Sequence, residues 1–300
     1  MSADALTAEP QSLELDFAPL GAAVRALGAN SNPVTSYVNA VRAIPMGEQP
    51  IIIGGQVAGR YDPLAKRPEL KAALYGVIHR AEEISGAMST LHLWAAGGAT
   101  QIIGSIVPPL EIVRTILAAI PAGGAVSDAD RGRICEQMQL ASVQTWLVSM
   151  GMGQIGTALH NFLSHIGVDH DTLAGGPFEL RRVSDEVGKQ ISADAMPYVL
   201  NPMARGIGET MLQIGRTFIA TIDHLAAVLG NALVGHEAMG GAASALATAA
   251  TSARSKYQAA SAAVSASDSA TMSVTLRKLQ LSAAIQSWKQ FADFFTRSGL

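Results

Sequence analysis

Residues 68–96 read PELKAALYGVIHRAEEISGAMSTLHLWAA, and the fold follows from how this stretch places its apolar groups. Leu70, Leu74, Val77, Ala81, Ile84, Met88 and Leu91 are separated alternately by four and three residues. At 3.6 residues per turn that spacing lines them along one side of an α-helix, whereas a strand would need a period of two. An apolar seam of this kind must be covered by at least one partner helix. Pro68 suits the first helical position, where its missing amide leaves nothing unpaired. The pattern predicts a helix from Pro68 to about Ala96, broken by Gly97-Gly98.

Working outward, the same period recurs. Asn32-Pro33 reads as a helix start, followed by Val34, Tyr37, Val38, Val41 and Ile44 and stopped at Pro45. Ile112, Val113, Ile116, Leu117 and Ile120 form a short helix between Pro108-Pro109 and Pro121. Ser127 with Asp130 resembles a capping box opening a helix through Ile134, Met138, Ala141 and Trp146; the pattern resumes at Ile155, Leu159, Phe162 and Ile166. Gly175-Gly176-Pro177 marks a turn, after which Leu180, Val183, Val187 and Ile191 share a face. Asn201-Pro202 reads as the start of the longest helix, with an Ala/Ser-dominated continuation at 240–270 and a last amphipathic segment through Trp288 and Phe295. Strand signals gather in one place, where Ile51, Ile52 and Ile53 meet Gly54-Gly55. The expected class is all-α: a multi-helix bundle of seven or eight helices, elongated if the seams run end to end, with at most one small β-hairpin near residues 50–61. Residues 1–12 are expected to be a flexible tail, and 13–300 one helical domain with a sub-boundary near 121–127.

The 300 residues are 49% hydrophobic but only 15% charged, against roughly 25% in ordinary soluble domains. So little charge implies that much surface is covered by copies of the chain, by another helical protein or by lipid. The net charge of −3 argues against nucleic acid, whose phosphates call for a basic surface, and Arg131/Arg133 and Arg181/Arg182 are ordinary surface pairs. A single cysteine, Cys135, forms no intramolecular disulfide and no cysteine zinc cluster. The N-terminus lacks the basic and apolar regions of a Sec-type signal, so a soluble chain, cytoplasmic or exported by another route, is expected.

Three motifs invite chemistry. Gly151, Gly153 and Gly156 spell G-x-G-x-x-G, which can cradle a pyrophosphate when it joins a strand to a helix start. The context fails: residues 167–171 read GVDHD instead of a second apolar strand, and no further strands follow. His160, His165 and His170, near Asp169 and Asp171, suggest a metal, but a spacing of five turns successive rings away from one another on a helix. His79 with Glu82 and Glu83 has workable spacing for one ligand pair and no matching second motif. No nucleophile elbow, phosphate loop or zincin motif occurs, so neither cofactor nor catalytic residue is assigned.

The absence of charge says more. No charged residue lies between Glu83 and Glu111, none from Gln137 to Val168, and only Glu237 interrupts 224–253. These runs reach the ~20 residues that span a bilayer, but Gln, Ser, Thr, Asn, His and Gly dilute them too much for constitutive membrane helices. They suit deep burial, or a soluble bundle that opens toward lipid. The proline-bounded segment supplies the membrane-contact candidates Ile102, Ile103, Ile106, Val107, Ile112, Val113, Ile116, Leu117 and Ile120. Glu111 and Arg114 weigh against it, at ~2.5–3.5 kcal/mol for a charge at a bilayer centre. The sequence thus points to a non-enzymatic, self-associating helical protein, membrane-active as a pore-forming or translocator-type component. The competing expectations are a structural assembly subunit (capsid, coat or filament) and a helical enzyme or ligand-binding protein whose site forms only in three dimensions.

Overall fold

The computed structural model describes residues 11–175 and 178–297, and the side chains of all of these but 17, 99, 162 and 163. Their order is α1 (Phe17–Arg42), β1 (Gln49–Ile53), β2 (Gln56–Tyr61), α2 (Pro68–Ser105), α3 (Val107–Ala119), α4 (Asp128–Ala174), α5 (Leu180–Val199), α6 (Arg205–Ala266), α7 (Met272–Lys278) and α8 (Leu281–Arg297). Helix accounts for 80% and strand for 4%, as the periodicity predicts. Every member of the Leu70–Leu91 seam is buried, none more than 5% exposed. Most of the expected N-terminal tail, residues 1–10, and the Gly176-Pro177 turn lie outside the described residues.

The hairpin forms where the three isoleucines meet two glycines. Gly54 and Gly55 both take positive φ (58° and 83°), a conformation that turns two strands tightly and suits glycine. The strands pair antiparallel from Gln49↔Tyr61 to Ile53↔Gln56, with a register shift between Ile51 and Ile52.

The chain divides into two compact units. Unit 1 comprises Met1–Ala29, Met88–His160 and Ala238–Leu300. Its centre is an aromatic ladder in which Trp94–Phe295, Phe295–Phe291, Phe291–Trp288 and Trp288–Tyr257 all meet edge to face, with centroids 5.0 to 6.3 Å apart. The buried indole of Trp288 donates to the Tyr257 hydroxyl at 2.8 Å, so neither polar tip is stranded. A strap at 11–16 is tied down by Leu13 N–H to Leu279 O (3.1 Å) and Leu15 N–H to Ser287 Oγ (3.2 Å).

Unit 2 comprises Asn30–Ala87 and Asn161–Glu237. Here α5 lies against α6 through glycines: a Cβ at Gly208 would sit 2.9 Å from Ala195 O, and one at Gly215 2.6 Å from Ile191 Cγ2. Unit 2 also buries charge. Asp169, fully buried, receives Arg80 Nη2 at 2.5 Å and Nε at 2.6 Å, and the Tyr37 hydroxyl at 2.5 Å.

Several boundaries differ from the sequence expectations. Pro33 lies inside α1, which starts sixteen positions earlier at Phe17; Leu20, Ala23, Val24 and Leu27 carry the buried stripe upstream of the proline. Gly97-Gly98 does not end α2: a Gly costs a helix only about 1 kcal/mol, and the Trp94 ring lies over Gly98, 3.4 Å from where its Cβ would be. The two segments expected either side of Trp146–Ile155 are one 47-residue helix, α4. Asn201-Pro202 forms a turn, Asn201 Oδ1 accepting from Met203 N–H at 3.0 Å, and α6 begins at Arg205. The last segment divides into α7 and α8 at Gln280, whose φ is 52°.

Candidate membrane-contact site

The proline pair opens α3 as expected, falling in its first turn where missing amides are harmless. The helix ends at Ile120, whose amide reaches back to Leu117 O at 3.2 Å; Gly123, at φ 77°, then turns the chain. α3 packs on α8 and, less extensively, on α7. Its inward face consists of Val107, Pro109, Leu110 and Val113, all buried, preceded by buried Ile102 and Ile106. Of the nine candidates, Ile102, Ile106, Val107 and Val113 are therefore covered, Ile112, Ile116, Leu117 and Ile120 are half-exposed, and Ile103 is exposed.

Polar ties hold the segment on the C-terminal helices. Arg277 Nη2 donates to Ile120 O (2.9 Å), Ser273 Oγ to Gly124 O (3.0 Å), and Val126 N–H to Ser269 O (2.8 Å). Lys289 Nζ sits 2.8 Å from Glu111 Oε1, and that hydrogen bond holds the Glu111 carboxyl below the usual carboxylate range. The Glu111 charge is thus neutralised by α8, while Arg114 lies exposed. The buried side chains Val107, Leu110 and Val113, at roughly 1.5–3 kcal/mol each, hold α3 on α8 and α7.

The charge-free runs are only partly buried. Two stretches, Pro68–Ala119 and α6, are long and apolar enough to cross a membrane, and only 33% of the most apolar window of each is buried. On α4, Ile134, Met138, Ala141, Val148 and Met152 face inward, while Leu140, Val143, Leu147 and Met150, with Trp146, form a second, exposed seam. Its steps of three, four and three are those of a coiled coil.

This order of helices, with one small hairpin, resembles one solved structure over nearly the whole chain. The fold is similar to that of MakB. This cytotoxin, from Vibrio cholerae, has a TM-score of 0.51 and 11% identity, covering 96% of this chain and 94% of MakB. At that identity the likeness is one of fold. Weaker matches are soluble SmhB of the tripartite alpha-pore forming toxin Smh from Serratia marcescens (TM-score 0.40, 9% identity, 93% and 91% covered) and the SmhB pore (TM-score 0.32, 12% identity, 93% and 86% covered). No protein-family model and no curated protein matches the sequence.

The other sequence candidates fall elsewhere. Gly151, Gly153 and Gly156 lie inside α4, far from either end, where amides are taken up by the helix; a phosphate cradle needs the free amides of a helix start. Gly151 serves packing instead, a Cβ there falling 2.6 Å from Trp94 Nε1, whereas one at Gly153 would meet nothing within 4 Å. His160, His165 and His170 follow one another on α4 at about 140° intervals, so they share no face. His165 Nε2 meets Glu83 at 3.1 Å and His79 Nε2 meets the same carboxylate at 3.6 Å. Among the described residues, no group of three or more His, Cys, Asp or Glu is placed to hold a metal. Sequence reasoning missed the Tyr37–Asp169–Arg80 cluster, although Asp169 closes the long charge-free run of α4.

Proposed function

We propose that this chain is a non-enzymatic, self-associating, membrane-active protein of pore-forming or translocator type, which keeps Ile102–Ile120 packed on α7 and α8 until it meets lipid. The likeness in fold to a cytotoxin across 96% of the chain carries the proposal. The detachable α3, held by ties to one stretch of chain, supports it by supplying a segment that can leave without dismantling the long helices. The exposed seam on α4 supports association between helices of further copies or of another helical protein. In this reading the chain is soluble before it meets a bilayer.

The test is flotation with phosphatidylcholine vesicles, together with release of a trapped dye, at neutral and mildly acidic pH. The protein is expected to float and to release dye. Ile112→Asp with Ile116→Asp, at half-exposed positions, should preserve the soluble fold and abolish release. Protein that stays unbound at both pH values overturns the proposal.

A further inference from the structure

In unit 2, the start of α2 and the first half of α5 enclose a cavity of about 580 Å³. Small-molecule sites fall between roughly 300 and 1,000 Å³. Polar contacts join the two helices around it. Arg67 Nη1 lies 2.6 Å from Glu186 Oε2, Arg67 Nε donates to Gln190 Oε1 at 3.3 Å, and Lys66 Nζ lies 2.5 Å from Asp194 Oδ1. Arg182, which the sequence presents as an ordinary surface arginine, lines the cavity as well.

Three features of the lining call for an occupant that accepts hydrogen bonds. First, the Gln190 side-chain nitrogen is buried and has no hydrogen-bond partner among the described residues. Arg67 fixes the orientation of that amide: a guanidinium can only donate, so it must face Oε1, which turns the NH2 group away from it. A buried donor left without an acceptor is costly, and one beside a cavity of this size is a group that a ligand can satisfy. Second, α2 begins here at Pro68, and Arg67 before it carries no acceptor with which to cap the amides of Glu69 and Leu70. The start of a helix favours an anion. Third, Glu186 is shared by Arg67 and Arg182 (3.7 Å), with Lys189 acting on it too, and these cations, Arg67 foremost, hold its carboxyl below the usual carboxylate range. Around the cavity the four cations Lys66, Arg67, Arg182 and Lys189 thus stand against the three carboxylates Glu69, Glu186 and Asp194, and one positive charge is left over. Buried Leu70 and Val183 and half-buried Phe178 add an apolar side that an inorganic ion would not use.

We propose that this cavity binds a small organic oxyanion, a phosphate ester or a carboxylate on an apolar body. Its oxygens would meet Gln190 Nε2, Arg182 and the first amides of α2, and its body Leu70, Val183 and Phe178. The site is separate from α3 and does not depend on the membrane-active reading.

The experiment is isothermal titration of the full chain with phenyl phosphate, benzoate, inorganic phosphate and phenol at low salt, repeated on Gln190→Met and Arg182→Gln. The wild type should bind phenyl phosphate or benzoate, inorganic phosphate about tenfold more weakly for want of the apolar body, and phenol not at all. Gln190→Met removes the lone donor at nearly constant side-chain length, and should weaken binding about tenfold or more with a melting temperature close to the wild type. Arg182→Gln should weaken binding as well and make it less sensitive to salt. Should either variant misfold, a second measurement stands alone: in the wild type, the bound probe should slow amide hydrogen exchange in the first turn of α2 and in residues 180–190. Equal binding by wild type and Gln190→Met would overturn the site. Neither heat nor protection with any probe would overturn it too, and would leave the membrane-active reading untouched. Inorganic phosphate bound as tightly as phenyl phosphate would overturn the role of the apolar side. Binding to vesicles that carry phosphatidic acid, with none of soluble phenyl phosphate or benzoate, would move the anion to a lipid headgroup and overturn the small-molecule assignment.

Discussion

The two units are built from the same kind of helix yet are held together differently. Unit 1 is stitched by aromatic edges, small residues and backbone hydrogen bonds, and its ion pair Lys289–Glu111 lies at the surface. Unit 2 carries a carboxylate at zero exposure, neutralised by Arg80 and capped by Tyr37. Apolar contacts are directionless and can be exchanged for lipid at little net cost, whereas a buried ion pair works in one geometry. The contrast predicts where the molecule yields first: among the described residues, α3 lies in the unit that buries no charged side chain.

The sharpest way to break the contrast is Arg80→Met. Leaving Asp169 buried without its cation, with only the Tyr37 hydroxyl beside it, should cost about 3–5 kcal/mol, read by urea unfolding, with protection from amide hydrogen exchange lost first from α5 and the unit 2 part of α4. Phe291→Ala, in the aromatic ladder, should cost a comparable ~3–5 kcal/mol but expose amides of α8 and loosen α3. If either variant deprotects both units equally, the contrast fails.

A smaller effect separates two close approaches. Gly208→Ala drives a methyl into the backbone of α5, which cannot yield, and should destabilise by ~1–3 kcal/mol. Gly151→Ala meets only the Trp94 indole, and a turn of that ring plus the helix-propensity gain of about 1 kcal/mol should leave the melting temperature almost unchanged.

The smallest effect is in pH, with opposite signs. Asp268 is held below the usual carboxylate range by the hydroxyl and amide of Thr271, as Glu111 is by Lys289. A depressed carboxyl stabilises above its unfolded pKa near ~4 and loses that contribution as pH falls through the folded value. In unit 2, burial pushes Asp169 up despite Arg80 and Tyr37, so its contribution becomes more favourable as pH falls through its folded value; Glu186, depressed by Arg67, partly offsets this. Exchange measured from pH 6 downward should show α7 and α3 loosening first, and Asp268→Asn should flatten that trend.

Against this, it is clear which parts of the molecule could be read from residues alone. The Leu70–Leu91 seam and the Ile51–Gly55 turn are local patterns, and each became the expected element because period and turn chemistry need no knowledge of neighbours. Pro33 and Gly97-Gly98 misled for the opposite reason: whether a helix survives a poor residue depends on the side chains buried around it. The sequence identified α3 as apolar but not which face α8 would cover. The hairpin tip was legible as a turn, yet its exposure depends on Ile51 alone finding a seat at Ala195 and Met211. Tyr37, Arg80 and Asp169 come from three separate stretches, and no spacing rule joins them.

Gln280 carries a last consequence. A non-glycine residue at φ 52° holds about 1–3 kcal/mol of backbone strain, and the Ser12 hydroxyl reaches its side chain at 3.3 Å. The α7–α8 joint is therefore a strained turn, tied to the N-terminal strap by that one exposed hydrogen bond. Were it to straighten into one rod from Met272 to Arg297, the surface now seating α3 would be re-indexed and the apolar segment evicted from its own side.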